Sequence, residues 1–212
     1  MGEPQLMKYK LILYYNTIKY MHKDQLFYRI KFKFKNFFHK KFNTILENTY
    51  KNKSKKILLN SKISNKNFNT EILINKESNL IDYDKLNNLM QNKFTFLNYK
   101  KQYDSQINWN DKEVSQLWNY NLHYFDYINN LALAFYSKND KLYYDKYKKI
   151  IKSWIENNPL GVGDTWHPYT VSLRLINWVK SYYYFKENLE SDLEFKQDFL
   201  NHIIIHALYI KK

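Results

Sequence analysis

Large apolar residues recur every three or four positions along the second half of the chain. In "QLWNYNLHYFDYINNLALAFY", Leu117, Tyr124, Phe125, Ile128, Leu131, Ala132 and Phe135 fall on one stripe, which predicts a helix over about 117–136. A second helix is expected over about 140–157, with Tyr143, Tyr147, Ile150, Ile151 and Trp154 inward and "NNPLG" as its stop. A third spans about 168–186, with Pro168 in its first turn, where a missing N–H costs little. On it Val171, Leu175, Trp178 and Tyr182 form the apolar stripe, flanked by Ile176, Val179 and Tyr183. A fourth runs from about Leu189 to the end, with Leu200, Ile203, Ala207 and Ile210 in register. Short connections between successive helices predict antiparallel hairpins and an all-α class.

The first half reads differently. Residues 6–42 are aromatic and basic, with Leu26, Phe27, Ile30, Phe34, Phe37 and Phe38 at helical spacing and Lys or Arg between them. "KFKFK" also alternates as a strand would. Such a segment can lie on a membrane surface or on nucleic acid, or pack as a helix whose Lys stems snorkel. Residues 43–93 are rich in Asn, Lys and Ser, with apolar islands at "KKILLN" and "TEILIN", and read as an irregular or weakly β connector. The expected organisation is therefore 1–42, a basic helical segment; 43–93, a connector; and 94–212, the main helical domain.

Composition narrows the class. Glycine and proline number three each, too few for a β-sandwich or a Gly-rich nucleotide-binding loop. Tyr (21) and Phe (14) dominate the aromatic content, enough for a bulky core. The net charge of +14 favours polyanionic partners, although Lys, Asn, Ile and Tyr are together abundant, as in chains from AT-rich genomes. Cysteine is absent, which excludes a disulfide framework and thiolate metal sites. "LILYY" is too short for a signal-peptide core and no run is long enough to span a membrane, so a cytoplasmic location is expected.

Two constellations carry candidate chemistry. Asn119, His123, Asp126 and Asn130 fall on one face of the first predicted helix, with Asp126 placed to orient the His123 imidazole. This is either a polar strip lining a cleft or a solvated face. The second is "GDTWHPYTVSLRLINW", residues 163–178. Arg174, Asn177 and Ser181 form a narrow polar strip on an otherwise apolar helix, and Trp166 and Tyr169 offer flat faces at its mouth. Arg suits bidentate recognition of carboxylate or sulfate. The same residues can equally be a helix cap with core aromatics. His123, His167, His202 and His206 are scattered, so no metal site is expected, and no cofactor motif occurs.

"LWNYNLHYFDYINNL" (117–131) and "GDTWHPYTVSLRLINWVK" (163–180) resemble the N-terminal part of the heparinase II/III-like polysaccharide lyases. "FTFLNYKKQYDSQINWN" resembles the stretch before those motifs, and the likeness covers 94–212 well and 6–42 loosely. The resemblance implies an incomplete (α/α) toroid of helical hairpins followed by a β-sandwich, here truncated. It implies β-elimination on a uronic-acid-containing polysaccharide, with Asn or His neutralising the carboxylate and Tyr or His moving protons. The family's catalytic motifs lie beyond the equivalent of the fourth helix. Asn201–His202 in "LNHIIIH" sits too early and among apolar residues, so no catalytic residue is carried over. The last helix has no stop signal, and the chain is expected to be the front part of a larger protein. The resemblance implies groove-lining, substrate-binding roles for Asn121, His123, Tyr124, Trp166, His167, Tyr169, Arg174 and Asn177. The expected partner is an acidic polysaccharide, together with the remaining toroid and β-sandwich, with no nucleic acid. A non-catalytic polysaccharide-binding or scaffold protein, and a basic nucleic-acid or membrane-surface binder, are the alternatives.

Overall fold

The computed structural model describes residues 3–60 and 81–211. The chain divides into two compact units, Met1–Phe42 and Asn43–Lys212. The first unit holds helices α1 (Glu3–Lys19) and α2 (Lys23–Lys41). His22, in an extended conformation, starts α2, and its carbonyl accepts the Leu26 N–H.

The second unit contains α3 (Asn43–Asn60), α4 (Tyr83–Met90), a hairpin of β1 (Lys93–Phe96) and β2 (Tyr99–Gln102), α5 (Gln116–Tyr124), α6 (Ile128–Lys138), α7 (Lys141–Asn157), α8 (Pro168–Tyr184), α9 (Lys186–Glu190) and α10 (Leu193–Lys211). A 3-10 turn, Asp164–Trp166, precedes α8. The all-α class therefore holds, with one two-stranded antiparallel hairpin added among the described residues. Three helices begin on capping side chains: Asp82, Ser115 and Asp140 accept the N–H of Lys85, Trp118 and Leu142 at 2.9, 3.2 and 2.9 Å.

Much of the stretch expected to be an irregular connector is helical. α3 packs along α10, with Tyr50 and Ser54 buried and Ser54 Oγ 3.2 Å from Asn201 Oδ1. Asn43 Nδ2 donates to the Leu160 carbonyl at 2.7 Å, tying the start of α3 to the loop after α7. Polar composition hid this helix because its buried residues are a Tyr and a Ser. The "TEILIN" island lies outside the described residues.

The helix expected over 117–136 is two helices. Phe125 adopts a left-handed conformation (φ 63°, ψ 20°) and ends α5. A Phe there costs about 1–2 kcal/mol. The cost is offset because its ring stacks on Trp109 at 5.5 Å and lies edge-on to Trp178. The break separates the four polar residues expected on one face, and Asp126 does not pair with His123. Leu117, expected inward, is exposed, while Trp118 and Leu122 are buried in its place.

α6 folds back on α7, and α10 folds back on α8, giving two helical hairpins with α5 laid against α8. Their shared core is aromatic. Tyr147 stacks on Phe185 at 4.4 Å, and Trp154 meets Trp178 edge to face at 5.3 Å. The inward faces of the last two long helices depart from expectation. On α8 the buried residues are Thr170, Val171, Arg174, Trp178, Ser181 and Tyr184, while Ile176 is 63% exposed. On α10 they are Phe195, Phe199, Ile205, His206 and Tyr209, while Ala207 and Ile210 face outward.

Candidate functional site at the mouth of α8

The 3-10 turn is made possible by Gly163, whose φ of 75° and ψ of −176° are accessible essentially only to glycine. His167 is extended and Pro168 takes the first helical position, so the chain enters α8 without a wasted donor. The His167 carbonyl accepts the Val171 N–H at 2.9 Å, and Gln116 of α5 donates to Asp164 at 2.7 Å. The turn is thus pinned to α5 on one side and to α8 on the other.

Beneath it lies Arg174, completely buried. Its Nε donates to His206 Nε2 at 2.9 Å, and its Nη1 donates to the carbonyls of Thr165 at 3.0 Å and His123 at 3.4 Å. The guanidinium lies 4.0 Å over the Trp154 ring and 5.5 Å from that of Trp166. These donors end on two carbonyls and an imidazole rather than on a carboxylate, and Nη2 has no hydrogen-bond partner among the described residues. Burial draws the Arg174 pKa well below its ordinary 12.5.

The two histidines around this cation are held neutral. His123 Nδ1 accepts the Trp154 indole N–H at 3.0 Å and lies 3.1 Å from Thr165 Oγ1. Burial first, then Arg174, lowers its pKa to about 3. His206 accepts from Arg174 on Nε2, so its proton is on Nδ1, which donates to the His202 carbonyl at 2.5 Å. Burial and Arg174 together hold its pKa well below 6.5. Trp166 stacks on His206 at 4.8 Å, and its indole N–H reaches the Asn158 carbonyl at 3.3 Å.

This geometry corrects the groove roles expected for Arg174, His123 and Trp166. All three are buried, because inside the fold Arg174 finds three acceptors and two indole faces that an outward strip would lack. Ser181, expected on the same outward strip, is also buried, 3.1 Å from the Tyr147 hydroxyl. Together with Thr165 and His206 they form a lock that fixes the turn against α5 and α10. Asn177 has a joining role: its Nδ2 donates to the Tyr124 carbonyl at 2.8 Å and its Oδ1 accepts from Asn129 at 3.2 Å. It thereby satisfies the carbonyl released where α5 ends. Asn121 bonds within its own helix, to the Leu117 carbonyl at 2.8 Å.

What the lock presents outward is an aromatic rim. His167 and Tyr169 are exposed, and Tyr124 and Asn121 are partly so. The His167 ring lies 5.7 Å from that of Tyr120, and Tyr169 meets Tyr124 edge to face at 5.9 Å. Tyr120 was not singled out from the sequence, although it stands four residues before Tyr124 on α5. Partial burial, and for Tyr120 the nearby Asp164, raises both hydroxyl pKa values above 10. His202 is engaged with Asp198, and among the described residues no group of three or more His, Cys, Asp or Glu could hold a metal. A separate surface cleft of about 610 Å³ lies elsewhere, between the start of α7 and the residues after α8, and holds the Lys148–Asp192 ion pair.

Comparison with known proteins places these features in a family. The chain is 31% identical over 128 residues to a heparin-sulfate lyase from Bacteroides thetaiotaomicron, covering 57% of the chain but 18% of that protein. Its fold matches the crystal structure of the heparan sulfate lyase HepC from Pedobacter heparinus with a TM-score of 0.58 and 21% identity, over 79% of this chain and 27% of that one. A mutant of the same lyase matches with a TM-score of 0.53. The chain thus spans well under a third of the length of these relatives. The model of the heparinase II/III N-terminus matches residues 17–212, so the chain belongs to the heparinase II/III family as its N-terminal portion.

Proposed function

We propose that these 212 residues form the first part of an incomplete (α/α) toroid in a lyase that cleaves uronic-acid-containing polysaccharide by β-elimination. Within it, the rim of Tyr120, Tyr124, His167 and Tyr169, with Asn121 beside it, holds the acidic chain. The observation that carries this reading is the pairing of rim rings over a buried Arg174 whose Nε and Nη1 are held by three acceptors. Energy is invested in fixing a turn whose outward product is two aromatic platforms and a histidine. Flat rings suit the C–H faces of sugars, and the net charge of +14 draws a polyanion towards the surface. The heparin and heparan sulfate named for the relatives are the substrates to try first.

The same chain alone is proposed to lack elimination chemistry. The rim tyrosines hold less phenolate near neutral pH than a free tyrosine does, because burial pushes their pKa values upward. His123 and His206 are sealed in the core with both ring nitrogens engaged, His123 by the Trp109 backbone as well as by Trp154. Incubation with heparan sulfate, heparin and alginate, followed by ultraviolet absorbance of the unsaturated uronate, tests this. No rise in absorbance is expected, and a rise with turnover refutes the assignment. Oligosaccharide binding by calorimetry tests the rim: saturable binding weakened by Tyr169→Ala supports it, and unchanged binding in that variant opposes it.

A further inference from the structure

We infer that α2 is a membrane-surface helix that lies in the headgroup region of an anionic bilayer, an activity separate from the α8 rim. At 3.6 residues per turn, Leu26, Phe27, Ile30, Phe34, Phe37 and Phe38 occupy an arc of about 120° on this helix. Five of these six are 48–62% exposed, Leu26 being the partly covered one. Large rings left in water at this density are costly, because each fully buried Phe would contribute about 1.5–3 kcal/mol. Phe37 meets Phe38 edge to face at 6.2 Å and Phe38 stacks on Phe42 at 5.9 Å, so the surface is continuous through the end of the helix.

Charge selects the occupant. Lys31 and Lys33 stand one on each flank of the arc, Arg29 lies further round the polar side, and Lys23 and Lys41 mark the two ends, all exposed. Asp24 is the acidic residue of the helix. Lysines flanking an apolar arc can keep their stems along hydrocarbon and their ammonium groups at phosphate level, as an interfacial helix requires. A nucleic acid would meet the cations but leave the Phe and Ile surface in water. An anionic lipid surface satisfies both. No described helix is long and apolar enough to cross a membrane, so α2 lies on the surface rather than spanning it.

The test is cosedimentation of the full 212-residue chain with phosphatidylcholine vesicles, with and without phosphatidylglycerol. Binding is expected only to the anionic vesicles, and it should fall with added salt. Two variants separate the contributions. Phe27→Ser with Phe34→Ser leaves the charge unchanged and removes two inserted rings, so partitioning should weaken by about tenfold or more. Arg29→Glu with Lys33→Glu should abolish the preference for anionic lipid. Both pairs are exposed, so circular dichroism should show unchanged helix content in each variant. Absence of vesicle binding overturns the inference. So does equal binding by the serine variant, which would mean charge attraction alone, and so does tighter binding to duplex DNA than to anionic vesicles.

Discussion

Replacing Arg174 with Met tests whether the buried guanidinium organises the helix mouth or merely fills space. Met keeps most of the volume and an apolar stem between Trp154 and Trp166, so the packing loss is small. What disappears is a charged donor set: the bonds to Thr165 O, His123 O and His206 Nε2, and the stacking 4.0 Å over Trp154. Hydrogen bonds from a charged group contribute about 1.5–3 kcal/mol each, and desolvated cation–π contact about 2 kcal/mol. Against this stands relief from burying a cation with no carboxylate, worth several kcal/mol. The balance expected is a loss of about 3 kcal/mol, since three buried acceptors are left orphaned while only one charge is relieved. Urea unfolding followed by tryptophan fluorescence measures it, because Trp154 and Trp166 flank the replaced side chain. A Met variant as stable as the parent chain would show that Arg174 is a space-filler and that the lock does not exist.

Other consequences follow from the same surroundings. His123 in the fold has a pKa of about 3 against 6.5 free, and His206 is lowered in the same direction. The unfolded chain therefore binds more protons, and stability is present above about pH 6.5 and lost as pH falls towards the folded values. His123 alone should give a slope approaching about 1.4 kcal/mol per pH unit around pH 5, His206 acts in the same direction, and a flat profile between pH 6.5 and 4.5 would contradict it. Gly163→Ala should cost about 1–3 kcal/mol, because its φ and ψ lie where a Cβ is strained, and an unchanged melting temperature would refute that reading. Ser115→Ala removes the cap of α5 and should cost about 1 kcal/mol in urea unfolding. Tyr169→Ala should shift stability by less than about 0.5 kcal/mol, as expected for an exposed side chain, while weakening oligosaccharide binding several-fold.

The sequence revealed the helical class because periodicity alone carries it: α7 and α8 begin and end within a few residues of their expected bounds. It misled on which way two helices face. The polar character of Arg174 and Ser181 predicts an outward strip, but both side chains are buried. Nothing local announces that Arg174 will find His206 thirty-two positions later, or indole faces on another helix. The α5–α6 break escaped for a related reason. Phe125 carries no glycine or proline signal, and its left-handed backbone is paid for by tertiary stacking on Trp109 and Trp178. The rim residues His167, Tyr169 and Tyr124 were legible as candidates, since they stand out in the "TWHPY" and "LHYF" stretches. Their pairing, and Tyr120 as the partner of His167, needed the fold.

Hydrogen–deuterium exchange of the 212-residue chain, with and without a heparan sulfate oligosaccharide, tests the rim most directly. New protection confined to residues 116–124 and 164–177 is expected, because those backbone segments carry the paired rings and the turn beneath them. Protection that appears instead along the basic helix Lys23–Lys41, with the α8 mouth unchanged, would contradict it.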